Sequence, residues 1–144
     1  MEVLQRLTRR QLEALALVAS GETAERGVPL NAVARGLKVS APSALEHVGA
    51  LETLGLVLRY RGKTRLTPRG RGVLDEYLRH HRIAEAMFGR LGLSPEASCR
   101  AAREVDLAVS HSTVERVCEA EGHPSTCPHG EPIPPCRVAQ SRSG

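Results

Sequence analysis

Residues Leu30–Pro68 read LNAVARGLKVSAPSALEHVGALETLGLVLRYRGKTRLTP, and their reading decides the fold. A short helical run, Leu30 to Leu37, is followed by Lys38-Val39 and by a second run that opens at Ser40 and closes at Gly55. Ser40 has the hydroxyl that caps orphan N–H groups at a helix start, and Pro42 falls in the first turn, where no donor is required. Gly55 stands where a left-handed residue ends a helix. Ala44, Val48, Leu51 and Leu54 recur at helical spacing, leaving Ser43, Glu46, His47 and Ala50 on the opposite face.

Leu56–Tyr60 and Thr64–Leu66 are short extended segments flanking Arg61-Gly62-Lys63, which the spacing makes a three-residue hairpin tip. Helix, tight turn, helix and basic hairpin together form a winged helix-turn-helix, and this points to double-stranded DNA. Upstream, Thr8 caps an expected helix Arg9–Ser20 whose inner face carries Leu12, Leu15, Ala16 and Ala19; Glu22–Val28 reads as a polar loop.

The recognition helix has few cations. Ser40, Pro42, Ser43, Glu46 and His47 are its candidates for base-edge contacts through hydroxyl, apolar and imidazole groups. Electrostatic affinity falls to Arg59, Arg61, Lys63 and Arg65 on the wing, with Arg69 and Arg71 behind it. One Phe, two Tyr and no Trp leave no aromatic platform for stacking single-stranded bases.

Charge divides the chain. Residues 1–73 hold 12 Lys and Arg against 6 Asp and Glu, whereas residues 74–144 hold 8 against 10. All four cysteines and five of the six histidines lie in the second part. One part suits phosphates and the other suits cations, which sets two expected domains: a winged helix-turn-helix over 1–73 and a helical, cation-binding domain over 74–144, to which the resemblance described below adds dimerisation. The fold class is mainly α. No stretch has a membrane-spanning length, and the N-terminus lacks the apolar core of a signal peptide, so a cytoplasmic protein is expected, in which four cysteines point to metal or redox chemistry.

The second part is expected to open on a long helix, Val73–Leu91, with Asp75 and Glu76 at its N-terminal dipole. His81 and Glu85 are one turn apart and can share an ion; a plain salt bridge is the alternative. Ser94-Pro95 starts a helix to about Ala108 with Cys99, Arg103 and Asp106 on one stripe, and a further helix covers Ser112–Ala120 with Cys118 near its end. Residues 121–144 are rich in Pro, Gly and Cys, hold His123, Cys127, His129 and Cys136, and finish in an Arg/Ser/Gly tail expected to be disordered.

Five stretches carry a family resemblance: Ser40-Ala41-Pro42-Ser43, Leu54-Gly55-Leu56-Val57, Leu66-Thr67-Pro68-Arg69-Gly70, Arg79-His80-His81-Arg82-Ile83-Ala84-Glu85 and Cys127-Pro128-His129-Gly130-Glu131-Pro132-Ile133-Pro134. In this order and spacing the chain resembles metal-dependent repressors of the diphtheria toxin repressor and manganese transport regulator type, in the short form without an SH3-like domain. The resemblance implies a homodimer on a palindromic operator that represses metal-homeostasis genes, with Fe2+ or Mn2+ as cofactor and Zn2+ as a further candidate. His81 and Glu85 match the family's ligands, and Cys99 matches a ligand position on the next helix.

The chain also departs from the family. Arg9-Arg10 stand where the family has an acidic residue or methionine, and the ligand run on the third helix reads Arg103-Glu104-Val105-Asp106-Leu107, so that only Asp106 keeps ligand character; arginine cannot ligate a cation.

Cys99, Cys118, Cys127 and Cys136 are separated by 18, 8 and 8 residues and form no C-x-x-C pair. Three readings stay open: a mononuclear site on His81, Glu85 and Cys99; an iron–sulfur cluster or thiol-redox sensor on the cysteines; and inert buried thiols. An enzyme is not expected, for there is no phosphate-binding loop, nucleophile elbow or H-E-x-x-H, and no small-molecule substrate is implied.

Overall fold

A computed structural model of the chain describes residues 2–135. The chain forms two compact units, one of Arg6–Leu74 and the other running from Asp75 onward and taking in the N-terminal segment up to Gln5.

In the first unit, α1 (Arg9–Gly21) begins in a capping box: Thr8 Oγ1 accepts from the Gln11 N–H at 3.1 Å, and the Gln11 side chain accepts from the Thr8 N–H at 3.0 Å. Its buried face is Leu12, Ala14, Leu15 and Val18. Ala16 is exposed and Ala19 only half-buried, so the inner face is rotated from the expected one: the bulk of Val18 fixes it where two alanines do not.

β1 (Val28–Pro29) leads into α2 (Leu30–Leu37), which ends at Lys38 in the left-handed region. α3 (Ala41–Thr53) starts at Ser40, whose Oγ accepts from the Ser43 N–H, and ends before Gly55 at φ +74°. β2 (Val57–Tyr60) and β3 (Lys63–Leu66) pair antiparallel with β1 on the far side of β3. Val28 therefore belongs to the sheet, opposite Thr64, and not to the expected loop.

Tyr60 pairs with Lys63, which leaves a two-residue turn at Arg61 (φ +51°) and Gly62 (φ +75°) in place of the expected three-residue tip. Positive φ at both positions is what the right-handed twist of a two-residue hairpin requires. Leu15, Val18, Val33, Ala44, Val48, Leu51, Leu56 and Val57 are fully buried and form an aliphatic core.

α4 (Pro68–Arg90) begins directly behind the wing, five residues before the expected start. Thr67 Oγ1 accepts from the Gly70 N–H, Thr67 O accepts from the Arg71 N–H, and Pro68 takes the first helical position, where it costs no hydrogen bond. Asp75 and Glu76 consequently lie well inside the helix, beyond reach of its N-terminal dipole. A Cβ on Gly70 would stand 1.9 Å from the Leu56 carbonyl oxygen, so only glycine allows this approach.

The second unit continues α4 and adds α5 (Pro95–Val105), capped by Ser94, and α6 (His111–Ala120), capped by Ser110. α5 stops at Val105, short of the expected Ala108, with Asp106 as its C-cap; α6 starts one residue before the expected Ser112. Ile83, Val114, Cys118 and Ile133 form its core cluster, with Val109 and Val117 against it.

The segment after α6 folds back. The Cys127 N–H donates to Glu131 O, the Gly130 N–H to Cys127 O, and the Ile133 N–H to Ser125 O. Arg79 is buried and makes a bidentate pair with Glu115 while donating to Pro134 O, which fastens this segment to α4 and α6. Ile133 and Arg79 thus supply the tie that composition alone did not disclose. The expected disordered tail lies outside the described residues. Among the described residues no helix is long and apolar enough to cross a membrane.

Candidate metal centre and nucleic-acid interface

Helical spacing puts His81 and Glu85 on one face of α4, with His81 Nε2 2.8 Å from Glu85 Oε1. α5 brings Cys99 to the same nitrogen, with Sγ at 3.5 Å. Imidazole, carboxylate and thiol thus form one group able to hold a cation.

Asp106 is fully buried, and its Oδ2 meets the other ring nitrogen, His81 Nδ1, at 2.9 Å; the Tyr77 hydroxyl donates to the same oxygen, also at 2.9 Å. The two nitrogens point apart, so Asp106 is not placed to ligate with Nε2. It orients the ring and holds the Nδ1 proton, so that a cation would take Nε2 in place of the proton that Nε2 shares with Glu85. Tyr77 was absent from the sequence reading, although its i, i+4 relation to His81 is a signal for it; the two rings stack at 5.9 Å.

Glu85 is buried and uses both oxygens. Oε2 lies 3.1 Å from His129 Nδ1, and Cys127 completes a second ligand group around the same carboxylate. Sequence spacing gives no reason for His129, 44 residues further along the chain, to meet Glu85. Burial, reinforced by the Glu85 carboxylate, pushes the Cys99 thiol up, so without a cation it stays protonated.

Among the described residues, the remaining sulfur does not assemble with these. Cys118 packs in the apolar cluster, with Sγ 3.5 Å from His123 Nδ1, and belongs to no ligand group among the described residues. It faces Ile83 and Val114 because it lies on the inner face of α6. Cys136 lies outside the described residues. Arg103 is exposed on α5, and Arg10 donates to Leu37 O and pairs with Glu13.

On the winged unit, Pro42 and Glu46 are exposed, while Ser43 and His47 are half-buried. Ser40 is exposed, but its hydroxyl is engaged at the helix cap and with Ser43 Oγ. Arg59, Arg61 and Lys63 are exposed on the hairpin, and the Arg61 guanidinium lies over the Tyr60 ring at 5.2 Å. Arg65 differs: its Nη2 donates to Thr23 O and Ala24 O, so it ties the hairpin to the preceding loop. Arg71 pairs with Glu22.

A basic winged helix in one chain with a helical unit that gathers imidazole, carboxylate and thiol defines the class, a metal-binding winged-helix protein. Residues 67–135 match the family model described as iron dependent repressor, metal binding and dimerisation domain. In these residues the chain carries a domain of the iron-dependent repressor family.

The iron-dependent repressor IdeR of Mycobacterium leprae is 34% identical over 115 residues, covering 76% of this chain and 50% of the relative. The chain spans about half the length of the curated relatives it matches. Among solved structures, the hypothetical protein SSo2273 from Sulfolobus solfataricus superposes with a TM-score of 0.84 at 26% identity, covering 90% of this chain and all of that one. A manganese-dependent transcriptional repressor in complex with manganese gives a TM-score of 0.71 at 29% identity, over 88% of this chain and 59% of that one.

Proposed function

We propose that the protein is a metal-responsive, DNA-binding transcriptional regulator that represses metal-homeostasis genes in the cytoplasm and is not an enzyme. The observation that carries this reading is the His81–Glu85–Cys99 group, held by an oriented imidazole inside a domain of the iron-dependent repressor family and in one chain with a basic wing. The donor set fits a divalent transition ion. A neutral imidazole and a carboxylate suit Fe2+ or Mn2+, and the thiol, once deprotonated, biases the set toward Fe2+ or Zn2+ over Mn2+.

When bound, such an ion supplies a positive charge that offsets the buried Glu85 carboxylate and favours loss of the Cys99 proton. His81 presents Nε2 while Asp106 and Tyr77 keep the ring in place. Cys99 joins α5 to α4 through that group. Binding of the ion shifts the protein toward the arrangement in which the donors meet, and only by the difference in affinity between the two arrangements. The helical unit forms a homodimer, and two winged units read the half-sites of a palindromic operator, with Arg59, Arg61 and Lys63 on phosphates and Pro42, Ser43, Glu46 and His47 toward base edges.

The iron–sulfur reading is not carried forward: Cys118 is taken up by the apolar core, and the relatives are iron- and manganese-dependent repressors. The test is anaerobic equilibrium dialysis against Fe2+ and Mn2+, with metal measured per chain. His81→Ala, Glu85→Gln and Cys99→Ser should each lower occupancy while the far-ultraviolet circular dichroism is kept. Full occupancy in His81→Ala and Glu85→Gln would rule the group out as the sensing site.

A further inference from the structure

We propose that Glu76, His80 and His111 form a separate site for a borderline divalent transition ion, joining α4 to α6 inside the second unit. It uses none of the residues invoked above, so it stands or falls independently of that reading.

Three atoms make one triangle. His80 Nε2 lies 3.5 Å from His111 Nδ1 and 3.7 Å from Glu76 Oε1, and the last two are 3.6 Å apart. All three edges exceed an ordinary hydrogen bond between such groups. They match the edge of about 3.4 Å expected between donors on a tetrahedral ion with bonds of about 2.1 Å. By contrast, His81 and Glu85 stand at hydrogen-bond distance.

The second observation is the state of His80. Its ring is fully buried, and Nδ1 has no hydrogen-bond partner among the described residues. Nε2 is the nitrogen that this buried ring turns toward Glu76 and His111, and its contacts there are long enough to leave room for an ion. Ligation through Nε2 fills that side and assigns the proton to Nδ1.

The surroundings also suit a cation. The His111 backbone N–H donates to Glu2 Oε2, which brings that carboxylate to the start of α6, and His111 Nε2 faces Glu115 Oε1 at 3.9 Å. Two imidazoles and one carboxylate suit Zn2+ or Fe2+ and discriminate against Mg2+ and Ca2+.

The probe is Zn2+, with Co2+ for its ligand-field spectrum, added to full-length metal-free protein. A His81→Ala/Glu85→Gln background removes both groups that share Glu85. There we expect one tightly held Zn2+ per chain, a rise in melting temperature with Zn2+, and a Co2+ absorption spectrum of low-symmetry nitrogen–oxygen coordination. Adding Glu76→Gln and His111→Ala should weaken that binding by at least a hundredfold and abolish both the thermal shift and the spectrum. These two residues are partly exposed, so the fold tolerates their loss better than that of His80; circular dichroism without metal checks this. Retention of one Zn2+ per chain in the fourfold variant, or no Zn2+ in the background, would overturn the proposal.

Discussion

Replacing Arg61 with Asn and Lys63 with Gln should remove salt-dependent affinity without altering sequence preference. Asn tolerates the left-handed backbone that Arg61 adopts, so the turn is kept. On each hairpin Arg59, Arg61 and Lys63 are exposed, whereas Arg65 is spent on the Thr23 and Ala24 carbonyls. Each phosphate contact contributes a slope of about 0.9 in log affinity against log salt. Two contacts per wing and two wings per dimer give a loss of about 3.6 in slope. Between 50 and 200 mM salt, about 0.6 log units, the wild type should lose roughly a hundredfold more affinity than the variant. Fluorescence anisotropy with a duplex selected from a randomised pool, and with an unrelated duplex, measures this. A slope change below about one, or a loss confined to the selected duplex, would refute the phosphate role of the wing.

Three further outcomes follow from the geometry. Asp106→Asn should lower metal affinity about 10- to 100-fold with the fold intact, because it acts on the orientation of His81; unchanged affinity in a metal titration would deny it that role. Arg79→Met strands the Glu115 carboxylate and releases Pro134 O, and urea unfolding should show a loss of about 3 kcal/mol, partly restored in Arg79→Met/Glu115→Met; a loss under about 1 kcal/mol would contradict this. Gly70→Ala pushes a methyl group against the Leu56 carbonyl oxygen and should cost more than about 3 kcal/mol, and a wild-type urea midpoint would show that the approach is looser than described.

Much of the winged unit was legible because its signals are local. Thr8, Ser40 and Gly55 mark helix ends through bonds to neighbours three or four residues away, and the apolar spacing of α3 fixes its buried face. What was misread depends on partners far along the chain. Val28 is a strand only because β3 lies beside it, and the Pro-Arg-Gly-Arg-Gly run looks like a breaker until Leu56 O is seen to need Gly70.

The site divides in the same way. The meeting of His81 with Glu85 follows from one helical turn. Which nitrogen of His81 faces Asp106, whether Cys118 turns inward, and how His111 comes to His80 are set by the packing of α5 and α6, which no spacing rule supplies.

Under the proposed function, metal on the His81–Glu85–Cys99 group controls DNA binding. The most direct measurement is the affinity for the selected duplex, taken anaerobically in chelator and in Fe2+ or Mn2+, for the wild type and for His81→Ala/Glu85→Gln. A metal-dependent gain of at least tenfold in the wild type, absent in the double variant, is the predicted result. Equal affinity with and without metal in the wild type, or an undiminished gain in the double variant, would contradict the account.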